Sequence, residues 1–336
     1  MTTRSYRAAV IGLGVGERHI FGYEQHPQCR VEVLCDIDAA KLSEVAARHP
    51  GRRLTREPVE VLDDPSIDIV SIASYDNVHF EQIMRALDRG KHVFVEKPLC
   101  LTEAELAGIR GALAARPALQ LSSNLILRRA PRFKSLYGQI RAGDLGRLYY
   151  VEGDYNYGRF HKLTSGWRGE LPFYSVVHGG AIHMIDLLMW LAGERPTEVF
   201  AYGGRGAPEG STFKFNDTVA AVLKFPSGML GRITANFPCK MLHHHALAVH
   251  GTKASFVHNS LGARFFTSTD PEIAPAVVTA AYPSAQKGDM LPAFVDAVIS
   301  GGEPEVTADE VMAGMQVSLA IERAAAQGVP VPVVYN

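Results

Sequence analysis

The sequence predicts an α/β protein in two parts. The first part is a doubly wound parallel sheet, because short apolar runs alternate with helical patterns over the first third of the chain. A glycine turn directly after the first apolar run supports this prediction. Beyond residue 123, strand-like runs follow one another with short turns, as in a mainly antiparallel, open sheet. We therefore expect one domain over residues 1–123 and an α+β domain over residues 124–336.

Composition and charge exclude several classes of function. The chain has 336 residues, 47% of them hydrophobic, with 34 Lys and Arg against 35 Asp and Glu. This balance lacks the positive excess that binds nucleic acid or an anionic membrane surface. No apolar run approaches the roughly 18 residues of a membrane span, and the N-terminus has no signal-peptide pattern. We expect a cytoplasmic protein whose partners are small molecules.

The first predicted strand, residues 7–11, runs into a glycine turn and a predicted helix over residues 17–23. Glycines in such a turn let the backbone approach a pyrophosphate, which the N–H groups of the helix N-terminus attract. The third glycine comes one residue earlier than in G-x-G-x-x-G, so a plain structural turn is an equal alternative. The candidate cofactor contacts in the turn are Gly12, Leu13, Gly14, Val15 and Gly16.

The second predicted strand, residues 31–35, ends at Asp36, 22 residues after Gly14. A carboxylate at this spacing accepts hydrogen bonds from the adenosine ribose and repels a 2′-phosphate. The next residue, Ile37, is not an arginine that could bind that phosphate. The spacing favours a Rossmann domain that binds NAD, with NADP the less favoured cofactor.

The alternation continues to the end of the first domain. Helices are predicted over residues 39–48 and 78–89 and from Thr102, and strands near Arg53 and over residues 68–73, 92–95 and 119–122. A polar turn after the fourth strand lies at the sheet edge of the glycine turn. It adds candidate cofactor contacts at Ser74, Tyr75, Asn77 and His79, although His79 is equally explained as the start of a helix.

In the stretch HVFVEKPL, residues 92–99, an apolar strand stops on a glutamate, a lysine and a proline. The following proline disfavours a helical backbone at Lys97 and keeps its ammonium beyond the carboxyl end of the strand, where open α/β sheets bind ligands. Taken alone, the stretch is better explained as a turn with a solvated lysine. Glu96 and Asn124 lie at the same predicted edge and complete the candidate cofactor contacts.

The second domain begins with a predicted helix over residues 132–141. Strands follow over residues 147–157, 197–202, 217–225, 229–237, 246–251 and 254–257, and helices over residues 291–299 and 308–327. Between them, FYSVVHGGAIHMIDLL is predicted to be a loop that leads into a helix. His183 and Asp186 share a helical face there, so the carboxylate could orient the imidazole or bind a substrate hydroxyl. The alternative is a structural histidine satisfied by a nearby acid.

Four histidines at positions 243, 244, 245 and 250 raise the question of a metal site. Acidic or cysteine partners at metal-ligand spacing are absent from the sequence around them. A surface strand or a substrate-facing strand is the preferred interpretation, and no bound metal is predicted.

These motifs together resemble the Gfo/Idh/MocA family of oxidoreductases. The resemblance rests on GLGVGERH, on the strand that ends in Asp36, and on ALDRGKHVFVEKPL, and it extends to RAGDLGRLYYVEGDY and NDTVAAVLKFPSGMLGRI. It implies that Lys97 lies beside the nicotinamide and the substrate, with an often cis bond to Pro98. It also implies that His183 is the second catalytic group, and that the antiparallel sheet joins subunits into a homodimer or homotetramer.

The chain departs from this family at Gly179. Many relatives carry an aspartate there, four residues before the histidine, so His178 could replace it or the acid could be dispensable. The resemblance also places Tyr157, His161, Trp167 and Arg168 over the cleft, where rings can stack on a sugar and arginine can bind a hydroxyl, carboxylate or phosphate. With His178, His183 and Asp186 they form the candidate substrate-binding set.

We therefore expect an NAD-dependent dehydrogenase that acts on a secondary hydroxyl of a sugar, inositol or sugar derivative. Hydride would pass to nicotinamide C4 while Lys97 or His183 accepts the proton. Burial beside a cationic nicotinamide would lower the lysine pKa toward neutrality. Two alternatives remain: a lyase or glycosidase that oxidises transiently and regenerates NAD, and an NAD-bound sensor without turnover.

Overall fold

The computed structural model describes residues 4–206 and 209–335. These residues form two compact units. The first contains the chain up to Ile126 together with Ala285–Met312, and the second contains Leu127–Ser284 and the residues from Ala313 onward. The sequence analysis placed the segment Ala285–Met312 in the second domain, whereas the structure packs it with the first.

The first unit contains a six-stranded parallel sheet with the order β3-β2-β1-β4-β5-β6. The order reverses between β1 and β4, which is the position where doubly wound sheets bind their ligands. The strands are β1 (Tyr6–Ile11), β2 (Cys29–Cys35), β3 (Arg53–Thr55), β4 (Ile69–Ile72), β5 (His92–Val95) and β6 (Leu121–Ser123). The helices are α1 (Glu17–Glu24), α2 (Ala39–Arg48), α3 (Pro58–Leu62), α4 (His79–Asp88), α5 (Glu103–Ala114) and α10 (Leu291–Ser300).

Helix α10 and the residues just before it pack closely against α1 and β5 of the first unit. A Cβ atom at Gly22 would lie 2.3 Å from the Gly288 carbonyl oxygen, so only glycine fits there. The Phe294 ring lies 5.5 Å from that of Phe94 on β5. No periodic pattern marks such long-range contacts, which explains why sequence analysis missed them.

The second unit contains a sheet of nine strands within the described residues, in the order β14-β13-β12-β11-β7-β10-β9-β8-β15. Its pairs are antiparallel except β7 with β10, which are parallel. The strands are β7 (Leu148–Asn156), β8 (Glu198–Gly204), β9 (Thr218–Lys224), β10 (Leu230–Asn236), β11 (His244–Gly251), β12 (Ser255–Asn259), β13 (Gly262–Phe266), β14 (Ala276–Val277) and β15 (Val331–Pro332). The remaining helices are α6 (Pro131–Arg141), α7 (His161–Thr164), α8 (Trp167–Glu170), α9 (Ile182–Ala192) and α11 (Ala308–Gln327).

The predicted fold class is confirmed: a doubly wound parallel sheet is followed by a mainly antiparallel one. A capping box starts α5, since Thr102 and Glu105 each accept a hydrogen bond from the other's backbone N–H. None of the helices in the described part of the chain combines the length and hydrophobicity that a membrane crossing requires. The predictions missed the helices α3, α7 and α8 and the short strands β13, β14 and β15. They also missed a π-helical turn at Val177–Ala181, where a loop was expected.

Candidate active site

In the glycine turn after β1, Gly12 and Gly16 are tightly packed, whereas Gly14 faces open space. Gly12 has φ +85°, and a Cβ atom there would lie 2.3 Å from the Ala73 carbonyl oxygen. A Cβ atom at Gly16 would lie 2.0 Å from the Gly12 oxygen, whereas a Cβ atom at Gly14 would meet no atom within 4 Å. The early third glycine is therefore needed for packing, and the backbone at Gly14 is accessible to a ligand.

The Asp36 carboxylate joins this turn to the end of β2. Its Oδ2 accepts the backbone N–H of Leu13 at 2.7 Å, and its Oδ1 accepts that of Asp38 at 2.9 Å. Each oxygen keeps a lone pair for a ribose hydroxyl. An arginine that the sequence analysis did not consider lies here as well: Arg56 donates from Nε and Nη2 to the carbonyl oxygen of Ile37.

His79 connects the loops that follow β4 and β5. The imidazole is buried, with Nδ1 2.7 Å from the Pro98 carbonyl oxygen and Nε2 3.2 Å from the Ser74 carbonyl oxygen. Because both ring nitrogens face the protein backbone, His79 acts by holding these loops. Tyr75 and Asn77 are exposed in the same turn.

Glu96 is a buried carboxylate at the end of β5. Asn124 donates to it from Nδ2 at 2.8 Å, and His19 Nε2 lies 3.3 Å away. Burial opposes its ionisation, but the charges of Lys287, His19 and Lys97 outweigh burial and hold the pKa of Glu96 well below its usual range. Lys97 itself is half-buried beside this ionised group, and its peptide bond to proline is cis, as the resemblance implied.

Asn124 leaves a buried acceptor at the same sheet edge. Its Nδ2 faces the Glu96 carboxylate and the Lys287 carbonyl, which identifies that atom as the amide nitrogen. Its Oδ1 makes no hydrogen bond within the described residues although the side chain is 1% exposed. A buried acceptor of this kind can receive an amide N–H from a ligand.

In the second unit, Ser175 fixes the start of the π-helical turn that precedes α9. Its Oγ accepts the backbone N–H groups of Val177 at 3.1 Å and His178 at 3.0 Å, and donates to the Glu322 carboxylate. Burial raises the pKa of Glu322. The turn therefore begins at a fixed place, which sets the direction of the helix that carries His183.

Two glycines in the turn each pack directly against a tyrosine side chain. A Cβ atom at Gly179 would lie 2.1 Å from the Tyr174 hydroxyl oxygen, and one at Gly180 would lie 2.6 Å from the Tyr155 ring. The Tyr174 hydroxyl also accepts a hydrogen bond from Arg168 Nε at 3.3 Å. An aspartate at position 179 would displace Tyr174, so the departure at Gly179 is matched by a phenol that fills the space.

His178, the proposed substitute for the missing acid, is turned toward α11. Its Nδ1 lies 2.7 Å from the Ser318 hydroxyl, and the side chain is 2% exposed. Burial lowers the pKa of His178 to about 3. The imidazole is therefore neutral at ordinary pH, which makes it a poor proton acceptor for His183.

Asp186 forms a buried ion pair with Arg128. Arg128 Nη2 lies 2.6 Å from Asp186 Oδ1, and its Nε lies 3.0 Å from Oδ2. The two side chains are 3% and 1% exposed. Sequence analysis assigned this carboxylate to His183 or to a substrate hydroxyl, but the structure shows that it is engaged by an arginine that no local pattern indicated.

Aromatic rings surround His183 on the face of the sheet that α9 covers. The Tyr155 ring is nearly parallel to the His183 ring, with centroids 6.2 Å apart, and it also contacts Tyr157, His243 and His245. Further along, Arg168 lies 4.3 Å over the Trp167 ring. His161 is exposed and lines a cleft of about 1070 Å³ together with Thr164, Lys240, Met241 and Leu242.

Comparison with known families decides the class of protein. A model described as "Oxidoreductase family, NAD-binding Rossmann fold" matches residues 6–121, and one described as "Oxidoreductase family, C-terminal alpha/beta domain" matches residues 138–333. The chain belongs to the Gfo/Idh/MocA family. The predicted enzyme class and cofactor are thereby confirmed: the protein is an NAD-dependent oxidoreductase of this family.

Individual relatives agree with the family assignment. The chain is 30% identical over 238 residues to a myo-inositol 2-dehydrogenase of Thermotoga maritima, covering 68% of this chain and 67% of the relative. It is 25% identical over 339 residues to a scyllo-inositol 2-dehydrogenase (NAD(+)) of Bacillus subtilis, covering 97% and 95%. A levoglucosan dehydrogenase solved in complex with NADH has the same fold, with a TM-score of 0.87 at 21% identity over 99% and 100% of the two chains.

Proposed function

We propose that this enzyme oxidises a secondary hydroxyl of a cyclic polyol or sugar, or reduces the corresponding ketone. The observation that carries the proposal is the position of Lys97. It lies two residues beyond the end of β5, at the carboxyl edge of the parallel sheet. The glycine turn that Asp36 bonds lies at the same edge. An ammonium at that edge is placed to exchange a proton with a substrate hydroxyl next to the cofactor.

The residues of the first unit fit NAD. Gly14 offers open backbone for the pyrophosphate, Asp36 offers lone pairs for the ribose, and Asn124 offers a buried acceptor for an amide. Bound there, the nicotinamide would accept or return the hydride. The chain's own contribution would be to orient it and to exclude the 2′-phosphate of NADP by the charge of Asp36.

We assign proton transfer to Lys97, with His183 as the alternative. The buried Glu96 carboxylate, held ionised next to Lys97, would fix the ammonium in position through charge. His183 is held by the Ser175-anchored turn and by the Tyr155 ring. Either group can accept the hydroxyl proton as the hydride leaves the carbinol carbon.

The substrate class follows from the second unit and from the relatives. Tyr155, Tyr157 and Trp167 provide flat apolar surfaces of the type that pack against sugar rings. Relatives that match the chain are named as inositol and levoglucosan dehydrogenases. We therefore assign a neutral, hydroxylated ring as the substrate.

We also propose that the outer face of the nine-stranded sheet joins subunits. Tyr202, Val222 and Leu230 are 66%, 48% and 47% exposed on neighbouring strands of that face. Such an apolar patch is typical of a subunit interface. Light scattering should give a dimer or tetramer, and a Val222→Lys variant should shift it toward the monomer.

The direct test of the activity is a screen of inositols, levoglucosan and free sugars with NAD, followed by absorbance of NADH. Net NADH formation from one of these polyols is the expected result. Product formation without NADH accumulation would instead favour the lyase that recycles its cofactor. Tight NAD binding with no conversion of any compound would favour the sensor.

A further inference from the structure

The histidines at the start of β11 have no role in the proposed function. In the structure His245 lies directly opposite Tyr155 of β7, so the two side chains share one face of the sheet. Their rings lie 5.2 Å apart, and the His245 ring lies 6.4 Å from that of His183. His245 therefore belongs to the surroundings of His183 and not to an outer surface.

Tyr282 contacts one ring nitrogen of His245. The Tyr282 hydroxyl oxygen accepts the backbone N–H of His245 at 3.2 Å and lies 2.5 Å from its Nδ1. Burial raises the pKa of Tyr282 to about 12, so the phenol is protonated and able to donate to Nδ1. We assign this direction to the hydrogen bond, which puts the hydrogen of the neutral imidazole on Nε2.

Burial also favours the uncharged form of His245. Burial and the nearby His243, His244 and His258 hold the pKa of His245 well below its usual range. In the assigned tautomer the uncharged ring presents its Nε2–H as a donor.

This donor has no acceptor in the described part of the chain. Beyond the two contacts with Tyr282, His245 makes no hydrogen bond within residues 4–206 and 209–335, and the Tyr155 hydroxyl makes none there either. The side chains are 8% and 6% exposed. Neither Nε2 of His245 nor the Tyr155 hydroxyl is among the fully buried unpaired atoms of the described residues, so both polar groups reach solvent. Side by side, they mark a place that a polar ligand can occupy.

The chemistry of the two groups identifies the ligand. A protonated Nε2 cannot coordinate a cation, and no described group of three His, Cys, Asp or Glu residues is arranged to hold a metal ion. A neutral N–H donor and a phenol that both donates and accepts are suited to hydroxyl groups. The flat faces of Tyr155 and His183, inclined by only 16°, are suited to the C–H surface of a ring.

We propose that His245 and Tyr155 form a hydroxyl-binding subsite beside His183, and that Tyr282 is a positioning residue that fixes the tautomer of His245. The subsite orients a polyhydroxylated ring and so selects which hydroxyl is presented to His183. This inference rests on the proposed function, whose substrate it specifies.

Steady-state kinetics test the subsite. His245→Leu should raise KM for the best polyol about tenfold or more, because a donor to the substrate is lost, while kcat changes much less. His245→Gln, which keeps an N–H donor, should restore part of the loss. The matched control is His250→Gln on the same strand, whose ring bonds Ser255 and whose substitution should leave KM unchanged. Equal KM values in wild type and His245→Leu would overturn the proposal.

A spectroscopic readout separates this proposal from the proposed function. In ¹⁵N-labelled histidine spectra, His245 should show the Nε2–H tautomer, and Tyr282→Phe should abolish that preference. Addition of myo-inositol or levoglucosan should shift the His245 signals even if neither compound is oxidised. An Nδ1–H tautomer in the wild type, or signals that do not respond to a polyol that the enzyme oxidises, would contradict the subsite. Failure of every compound to yield NADH, with the His245 shift still present, would contradict only the activity.

Discussion

The two units build their candidate functional residues in different ways. In the first unit the cofactor edge consists of loops that follow neighbouring strands of one sheet, with Asp36 bonded to the backbone of the glycine turn. In the second unit the site consists of side chains from distant elements: Tyr155 on β7, His183 on α9 and His245 on β11. Close packing and buried polar pairs hold those side chains in place.

This difference predicts different responses to substitution. Asp36 and Lys97 at the cofactor edge of the first unit are partly exposed, so their loss should change binding or chemistry while the fold survives. In the second unit Asp186 and His178 are buried and bonded to Arg128 and Ser318, so their loss should affect stability first. Each of the following experiments tests one side of this contrast.

The largest effect is expected from Asp186→Ala. The change removes the buried carboxylate that Arg128 bonds, and should lower the free energy of unfolding by about 3–5 kcal/mol. Urea unfolding followed by circular dichroism measures it. The double variant Arg128→Met, Asp186→Leu should lose much less stability, because both buried charges are removed together. A single variant as stable as the wild type would show that the second unit does not depend on this pair.

Lys97→Met tests the opposite behaviour in the first unit. Removal of the ammonium should reduce kcat by about 10²-fold or more, the usual scale for a general acid or base, with folding and NAD affinity retained. Lys41→Met serves as the matched control, since Lys41 lies on the surface of α2 and pairs with Glu44. Loss of folding together with activity would show that Lys97 has a structural role, and that substitutions in the first unit affect stability as they do in the second.

The pH dependence of stability sharpens the comparison through His178. Its pKa is about 3 in the folded protein against an ordinary value of 6.5, so between these pH values the unfolded chain binds more protons. Stability must therefore fall as the pH is lowered, by about 2 kcal/mol from pH 6.5 to pH 5. His178→Gln should remove this part of the slope, whereas a His161→Gln control on the surface should not. If His178→Gln does not change the dependence of stability on pH, protonation of His178 does not destabilise the folded protein.

Asp36→Ser should produce the smallest effect. Wild type should bind NAD more tightly than NADP, and the variant should narrow this ratio by roughly tenfold, the scale of hydrogen bonds to a charged group. Calorimetric titration with both cofactors measures the ratio. Asp38→Ser is the control: it removes a neighbouring carboxylate while serine can still cap α2, and it should leave cofactor preference unchanged. Equal affinities in the wild type would refute the role of Asp36.

The sequence predicted much of the first unit because its signals are local. Glycine spacing, a strand ending in Asp36 and a strand ending in Lys97 each arise within a few residues, and the parallel sheet brings them to one edge. The second unit was less predictable since its contacts join distant parts of the chain. Nothing near Asp186 points to Arg128, and nothing near His245 points to Tyr282. The adjacent Gly179 and Gly180 were the one local signal, and its meaning depended on tyrosines at positions 155 and 174.

The most direct test of the account uses a polyol that yields NADH, labelled with deuterium at the carbon that is oxidised. Net hydride transfer predicts that deuterium appears at C4 of the nicotinamide in the NADH formed. Lys97→Met should slow this transfer without changing where the deuterium goes. Deuterium released to solvent, or returned to the product while no NADH accumulates, would contradict net hydride transfer as the function of this enzyme.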